Sequence, residues 1–201
     1  MPYSKFKSLD EIKENFNIKI SDRADLFYSV EEIKPNKLLY EILGYNTRLA
    51  LAIHTEKARS ELIVMPILVE VIKTLEPDIS LFSGITFDVD EEKGLNGICD
   101  FIISKSSEQT TVNAPIVAMV EAKDNNVKEG LPQCSSEMVA AKIFNDKKKN
   151  GLKVVYGVVT TGEIWQFLKL ENNTLFIDSC HYYIKEINKI LGILIYMVRS
   201  T

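Results

Sequence analysis

Asp100, Glu121 and Lys123 are the residues whose types and spacing point most directly to chemistry. Asp100 interrupts an otherwise apolar pattern, Gly97-Ile98-Cys99-Asp100-Phe101-Ile102-Ile103, and Glu121 and Lys123 close the apolar run Ile116-Val117-Ala118-Met119-Val120. Both stretches read as strands, in which side chains alternate between faces. Glu121 and Lys123 therefore project together, with Ala122 on the other side. If the two strands are neighbours, Asp100 sits beside Glu121. Burying two carboxylates together is costly unless a cation, a proton or hydrogen bonds compensate. A divalent metal meets that need, and Lys123 adds a third charge of useful sign. The same acid-x-Lys spacing recurs at Glu11/Lys13, Glu32/Lys34, Glu91/Lys93 and Asp146/Lys148, which read as solvated surface charges. The apolar strand before Glu121 and the acid on the preceding strand set it apart. The competing reading is that this strand simply ends here, at a solvated sheet edge.

The elements that must position these residues follow from hydrophobic period and punctuation. Ser8-Leu9-Asp10-Glu11 is a capping-box pattern, and a second helix is expected after Pro35. Thr55 is a candidate N-cap for a helix running to about Leu75, with Leu62, Ile63, Ile67, Val71, Ile72 and Leu75 on one face. Pro66 inside it is expected to kink it or remove one hydrogen bond. Three strands follow, at 79–89, 95–104 and 115–123, and then a helix at about 127–145. Strands at 152–160, 164–170 and 175–177 and a closing helix at about 183–199 complete the chain. The expectation is one α/β unit with a mixed sheet flanked by helices. Residues 1–54 would be a helical extension packed on the core formed by 55–201.

Composition narrows the function classes. The chain has 201 residues, 46% hydrophobic and 26% charged, enough for a sizeable core without disulfides or a structural metal. The longest apolar runs are strand-length, well short of the roughly 20 residues of a spanning helix, so no membrane partner is expected. The charged N-terminus lacks the apolar stretch of a secretory signal. Three unclustered cysteines (Cys99, Cys134 and Cys180) argue against a disulfide framework and fit a cytoplasmic setting. No glycine-rich phosphate loop or dinucleotide fingerprint is present. The net charge of −4 counts against strong non-specific DNA binding. Lys142, Lys147, Lys148, Lys149 and Lys153 could still form a local nucleic-acid-binding patch; the plainer reading, which has more in its favour, is a solvated helix end and turn.

Gly97-Ile98-Cys99-Asp100 followed by Val120-Glu121-Ala122-Lys123 resembles the core signature of the PD-(D/E)XK nuclease superfamily, with Cys99 standing where that motif carries its proline. The expected helix, three strands, helix, strand order is similar to that superfamily's restriction-endonuclease-like core. Thr55-Glu56-Lys57-Ala58-Arg59 with Met65-Pro66-Ile67-Leu68 is similar to the first helix of type I restriction-subunit nuclease domains. Gly130-Leu131-Pro132-Gln133-Cys134 leading to Glu137-Met138-Val139-Ala140-Ala141 resembles the Gln-bearing helix of several branches, and Val158 to Trp165 is similar to their strand–turn–strand segments. The likeness covers about residues 55–170 and points to an uncharacterised bacterial (cyanobacterial) branch.

The resemblance implies a Mg²⁺-dependent phosphodiesterase acting on DNA, with RNA as an alternative substrate and Mn²⁺ able to substitute. Asp100, Glu121 and the carbonyl of Ala122 would hold one or two Mg²⁺ ions, oxygen donors being what hard cations prefer. Lys123 would orient the attacking water or stabilise charge on the phosphate, so Lys123→Ala should abolish cleavage and leave folding intact. Glu56 would add a first-helix carboxylate and Gln133 would position Lys123 or the water. By analogy with nucleases that cut both strands, a homodimer is a further expectation. The alternative function is a catalytically silent nuclease-fold module that binds nucleic acid or protein.

Each supporting residue also has a plainer role. Glu56 could be a first-turn residue favoured by the helix dipole, and Gln133 a polar residue near a helix start. Glu61 lies five residues on, about 140° round the helix from Glu56. Glu137 shares a face with Gln133 and could pair with a lysine or join the site. Trp165 and Phe167 alternate on a strand and read as core, and Cys134 lacks the His/Asn partner a nucleophile needs.

Overall fold

In the computed structural model, which describes residues 3–201, the first helix starts as its capping box requires. The Ser8 hydroxyl accepts the Glu11 N–H at 3.2 Å and the Glu11 carboxylate accepts the Ser8 N–H at 3.3 Å, opening α1 (Leu9–Phe16). Asn17, at φ 52°, ends it. The chain then runs straight into a short strand, β1 (Lys19–Ser21). The N-terminal stretch is therefore not wholly helical: β1 joins the sheet edge in parallel with β7 (Thr174–Ile177). Three residues carry too little periodicity to mark a strand in the sequence. Phe27 from the same stretch is buried, its ring 5.6 Å from Phe167 and 6.2 Å from Tyr156. Residues 3–54 are thus woven into the core. Residues 1 and 2 of the expected extension lie outside the described residues.

α2 (Lys37–Ile53) begins at Asn36, whose side chain accepts the Leu39 N–H at 2.8 Å. The next helical stretch holds the expected proline, and the structure shows how it is absorbed. α3 (Glu56–Arg59) passes through a π-helical turn, Ser60–Val64, into α4 (Met65–Leu75). Pro66 has no N–H to offer the Leu62 carbonyl four residues back. That carbonyl accepts instead from the Asn46 side-chain amide of α2 at 3.0 Å. The wide turn and the borrowed donor let the helix continue.

The remaining strands are β2 (Ser80–Thr86), β3 (Ile98–Ser104), β4 (Ile116–Ala122), β5 (Val154–Thr160), β6 (Ile164–Glu171) and the two-residue β8 (Tyr182–Tyr183). α5 (Val127–Lys147) crosses between β4 and β5, and α6 (Ile187–Arg199) closes the chain. The sheet order is β1-β7-β6-β5-β4-β3-β2, with β8 paired to β6. β4/β5 and β1/β7 are parallel and the other pairs antiparallel, which makes an α/β fold with a mixed eight-stranded sheet. Ile63, Ile67 and Val71 pack with α6 residues such as Ile190 and Leu194 on one face. α1 and α5 cover the other through Ile12, Met138 and Ala141. β4 lies at the centre, buried at every residue, which explains its unbroken apolar run. Among the described residues no helix is long and apolar enough to cross a membrane.

Candidate functional site

The central strand delivers Glu121 to the interior. β3 and β4 pair from Ser104↔Ile116 to Phe101↔Val120, so one step further along the register Asp100 stands opposite Glu121. The ladder stops there. The Ala122 N–H goes to Asp100 Oδ2 at 2.8 Å, so a side chain replaces the lost backbone partner. On the other side the Lys123 N–H still reaches the Thr160 carbonyl at 2.8 Å. An extended residue sends its N–H and C=O to the same edge, so the Ala122 carbonyl also faces the gap beside Asp100. Glu121 is 1% exposed. It is not at a solvated sheet edge, because β4 has neighbours on both sides and α5 above it.

Lys123 is the hub. Its ammonium donates to Glu121 Oε1, contacts Gln133 Oε1 at 3.4 Å and lies 4.0 Å from Glu56 Oε2. Gln133 Nε2 in turn donates to Glu137 Oε1 at 3.2 Å. Asp100, Glu121, Ala122, Lys123, Glu56 and Gln133 are thereby drawn into one neighbourhood. Gln133 sits in the second turn of α5, facing the sheet. Glu137, one turn on, is fully buried, and its carboxyl lies beside that of Glu121. Glu121 Oε2 and Glu137 Oε2 have no N–H or hydroxyl donor; the two carboxyl groups hydrogen-bond each other instead.

The electrostatics follow from this crowding. Burial pushes the Glu121 carboxyl up to about 8, the Asp100 charge adds to the rise, and Lys123 opposes it. Glu137 is raised well above the usual carboxylate range by burial and then by Glu121. Asp100 is raised by burial, against the Ala122 N–H and Lys123. Glu56 is raised by burial too; Lys123 resists this, while Asp100 and Asp124 add to it. For Lys123 burial acts against the charge, yet Glu121 and then Glu56 and Asp100 hold its pKa above the ordinary value. One ammonium therefore serves several carboxyl groups.

Two glycines give the site its shape. A Cβ at Gly130 would lie 2.5 Å from Val159 Cγ1 and 3.2 Å from Lys123 Cγ; without one, the start of α5 descends onto Glu121 and Lys123. Gly84, at φ +61°, lies where β2 would pair with Asp100, between the Ser83↔Phe101 and Ile85↔Cys99 pairs. A Cβ there would meet nothing within 4 Å, so the edge strand is open at the position paired with Asp100. The result is a cleft of about 220 Å³ that includes Glu56, Lys57, Ser60, Gly84, Asp100 and Ala122. Lys57 is already paired with Glu61 at 2.9 Å.

The other candidates fall elsewhere. Lys142, Lys147, Lys148 and Lys149 gather at the far end of α5, with Lys147 fourteen residues beyond Gln133, about 21 Å along a helix. Lys142 pairs with Asp146 at 2.7 Å, Lys147 donates to the Val89 carbonyl at 3.1 Å, and Lys148 lies over the Phe144 ring at 5.9 Å. They lie outside the cleft, at the opposite end of α5. Trp165 and Phe167 are core residues, and Cys134 is a buried thiol whose pKa burial drives well above the ordinary value. Asp25, Asp178 and Cys180 place ligand atoms within 4.8 Å of one another. Their acceptors are occupied: Asp178 takes the N–H groups of Leu26 and Cys180 and the Tyr182 hydroxyl, and Asp25 takes the Phe27 N–H and the Cys180 thiol. This cluster ties two loops together.

The acceptors at the end of β4 are differently placed. Among the described residues Asp100 Oδ1 has no protein partner, and behind it Glu121 Oε2 meets only the Glu137 carboxyl. Oxygen donors with spare lone pairs, beside a backbone carbonyl, suit a hard divalent cation. No protein-family model and no curated protein matches this chain. Glu137, Gly130 and Gly84 complete the site. Sequence spacing placed Glu137 on the face of Gln133, whereas only the fold shows what the two glycines let approach.

Proposed function

We propose that this chain is a Mg²⁺-dependent phosphodiesterase with a restriction-endonuclease-like core, cutting DNA, with Mn²⁺ able to serve in place of Mg²⁺. The observation that carries the reading is the pair Asp100 and buried Glu121 opposite each other at the end of β4, with Lys123 as their shared counter-charge and the Asp100 carboxylate capping the Ala122 N–H. The order helix, β2, β3, β4, α5, β5 around it supports the same reading.

A divalent cation held by Asp100, Glu121 and the Ala122 carbonyl would supply a Lewis acid that lowers the pKa of a bound water and offsets charge on the phosphate. The chain's own residues do the rest. Lys123, kept protonated by Glu121, presents a fixed ammonium to the attacking water or to the phosphate oxygens. Gln133 fixes the lysine from α5, and Glu56 flanks it from α3. The acidic cleft repels a polyanion, so DNA should engage only when the cation is bound.

Lys123→Ala is a poor test of this reading, because Lys123 is the counter-charge of buried Glu121 and its loss perturbs folding as well as chemistry. Asp100→Asn retains an oxygen for the Ala122 N–H. Single- and double-stranded DNA and RNA would be incubated with the purified chain and its Asp100→Asn variant in Mg²⁺ or Mn²⁺. Metal-dependent cleavage of DNA by the wild type, lost in the variant, is expected. Failure to cleave any substrate with either metal would leave the binding-module alternative, and equal cleavage by the variant would remove Asp100 from the site.

A further inference from the structure

α2 is apolar on two faces, and the chain covers only one of them. Leu39, Leu43 and Ala50 turn inward and are buried. Leu38, Tyr45, Leu49 and Ile53 lie outside, 58%, 73%, 40% and 49% exposed. At about 100° per residue these four fall within an arc of about 80°, roughly 100° round the helix from the buried side chains. Half-buried Ile42 sits in the same arc and makes the stripe continuous. A helix that is apolar all round is ordinarily covered all round. The four side chains expose on the order of 400–500 Å², as much as the largest apolar patch of a typical monomer.

Two further observations bear on what covers it. Gly44 lies in the middle of α2, where glycine costs helix stability relative to alanine, and a Cβ there would meet nothing within 4 Å. The chain's own packing does not call for this glycine; its use is to let something outside the chain come close to the backbone. Its neighbour Tyr45 is the most exposed member of the stripe. Glu41 and Arg48 border the stripe on the side away from the core, seven residues apart and so nearly in line along the helix. Glu41 has a loose, exposed pairing with Lys37 at 3.6 Å. Arg48 makes no ion pair among the described residues. A second copy laid antiparallel across a two-fold axis at Gly44–Tyr45 sets Arg48 of each chain level with Glu41 of the other. The same axis sets Tyr45 of each chain against Gly44 of the other. Parallel helices would put like charges level instead. Pairing doubles the apolar area to about 1,000 Å², and the charged border brings it into the range of specific interfaces.

We propose that α2 is a self-association surface: two copies of this chain pair through antiparallel α2 helices, with Tyr45 of each packed over Gly44 of the other between two Glu41–Arg48 ion pairs. One patch serves both chains, as a closed two-fold dimer requires. α2 ends at its cap His54, next to Thr55, which caps the Glu56-bearing α3. The pairing therefore sends the two Glu56-bearing ends in opposite directions along the seam. It depends on no residue at the end of β4.

Sedimentation equilibrium of the full chain across the micromolar range tests this. The wild type should approach twice 22.8 kDa, with a micromolar dissociation constant, the weak end for an interface of this size. Tyr45→Lys, at an exposed position, should weaken association at least tenfold. Glu41→Arg and Arg48→Glu each set like charges level across the two-fold axis and should each weaken it. The double exchange, Glu41→Arg with Arg48→Glu, should restore it. Urea unfolding of each variant checks that the fold is kept. A wild type that stays at 22.8 kDa at every concentration would overturn the inference and leave the stripe to a partner of another kind. A dimer untouched by Tyr45→Lys would place the interface elsewhere and overturn it as well. So would a double exchange that fails to restore what the single changes lose, because the helices would then not be antiparallel in this register. Asp100→Asn should leave the mass unchanged, so loss of metal binding or cleavage in that variant bears on the phosphodiesterase reading alone.

Discussion

Replacing Glu121 with Gln should stabilise the metal-free protein at alkaline pH and leave it nearly unchanged in acid. Burial raises this carboxyl from 4.5 to about 8. A folded-state pKa above the unfolded value means that the stability is fully present below 4.5 and is lost as pH climbs through about 8. At about 1.4 kcal/mol for each pH unit between those limits, the loss is on the order of 5 kcal/mol. Glu121 and Glu137 titrate together, so the figure belongs to the pair. The Gln variant removes one titrating group, keeps an oxygen for Lys123 and can donate its amide to the Glu137 carboxyl. Urea unfolding in EDTA at pH 5 and pH 8 reads the effect. The wild type should lose most of that amount across the interval, equivalent to roughly 10–20 °C in melting temperature for a chain of this size, and the variant should lose much less. Mn²⁺ at about 100 times its dissociation constant should return about 2.7 kcal/mol to the wild type at pH 8. Parallel pH profiles for the two proteins would refute the argument that these carboxylates are buried without adequate counter-charge.

Gly130→Ala should cost about 1–3 kcal/mol from overpacking against Val159 and Lys123, partly offset by the better helix propensity of Ala, and should weaken Mn²⁺ binding; calorimetry and thermal unfolding check both. Asn145 accepts the Ile116 N–H at 2.8 Å and donates to the Ile116 carbonyl at 2.7 Å. Asn145→Ala leaves both backbone groups unpaired beneath α5, at about 1–3 kcal/mol each, measurable by urea unfolding. Asn46→Ala removes the donor that serves the carbonyl beside Pro66 and should cost about 1 kcal/mol, with hydrogen exchange rising in residues 60–66. Changing Lys147, Lys148 and Lys149 together to Gln should leave Mn²⁺ affinity unchanged, because they lie at the far end of α5.

Much of this arrangement was legible in the chain, and the reasons are local. The capping box at Ser8, the apolar run before Glu121 and the strand alternation around Asp100 each express a rule that acts within a few residues. The buried run could be recognised as central because both its faces are apolar. Other features depended on distant partners. β1 exists because β7 offers it an edge, and three residues hold no period of their own. The π turn at Ser60–Val64 needs Asn46, a helix away, to satisfy the Leu62 carbonyl. The lysines at the end of α5 are close to one another in sequence, and helix rise sets them about 21 Å from Gln133. Gly130 and Gly84 matter through what a Cβ would meet or cover, which no sequence pattern states.

The most direct test of the central claim is Mn²⁺ calorimetry on the wild type and on Asp100→Asn, which requires no knowledge of the substrate. The account predicts saturable binding in the wild type, with the ion shared by Asp100 and Glu121 lost in the variant while the fold is retained. Identical isotherms for the two proteins, or no binding by either, would contradict a carboxylate metal site at the end of β4.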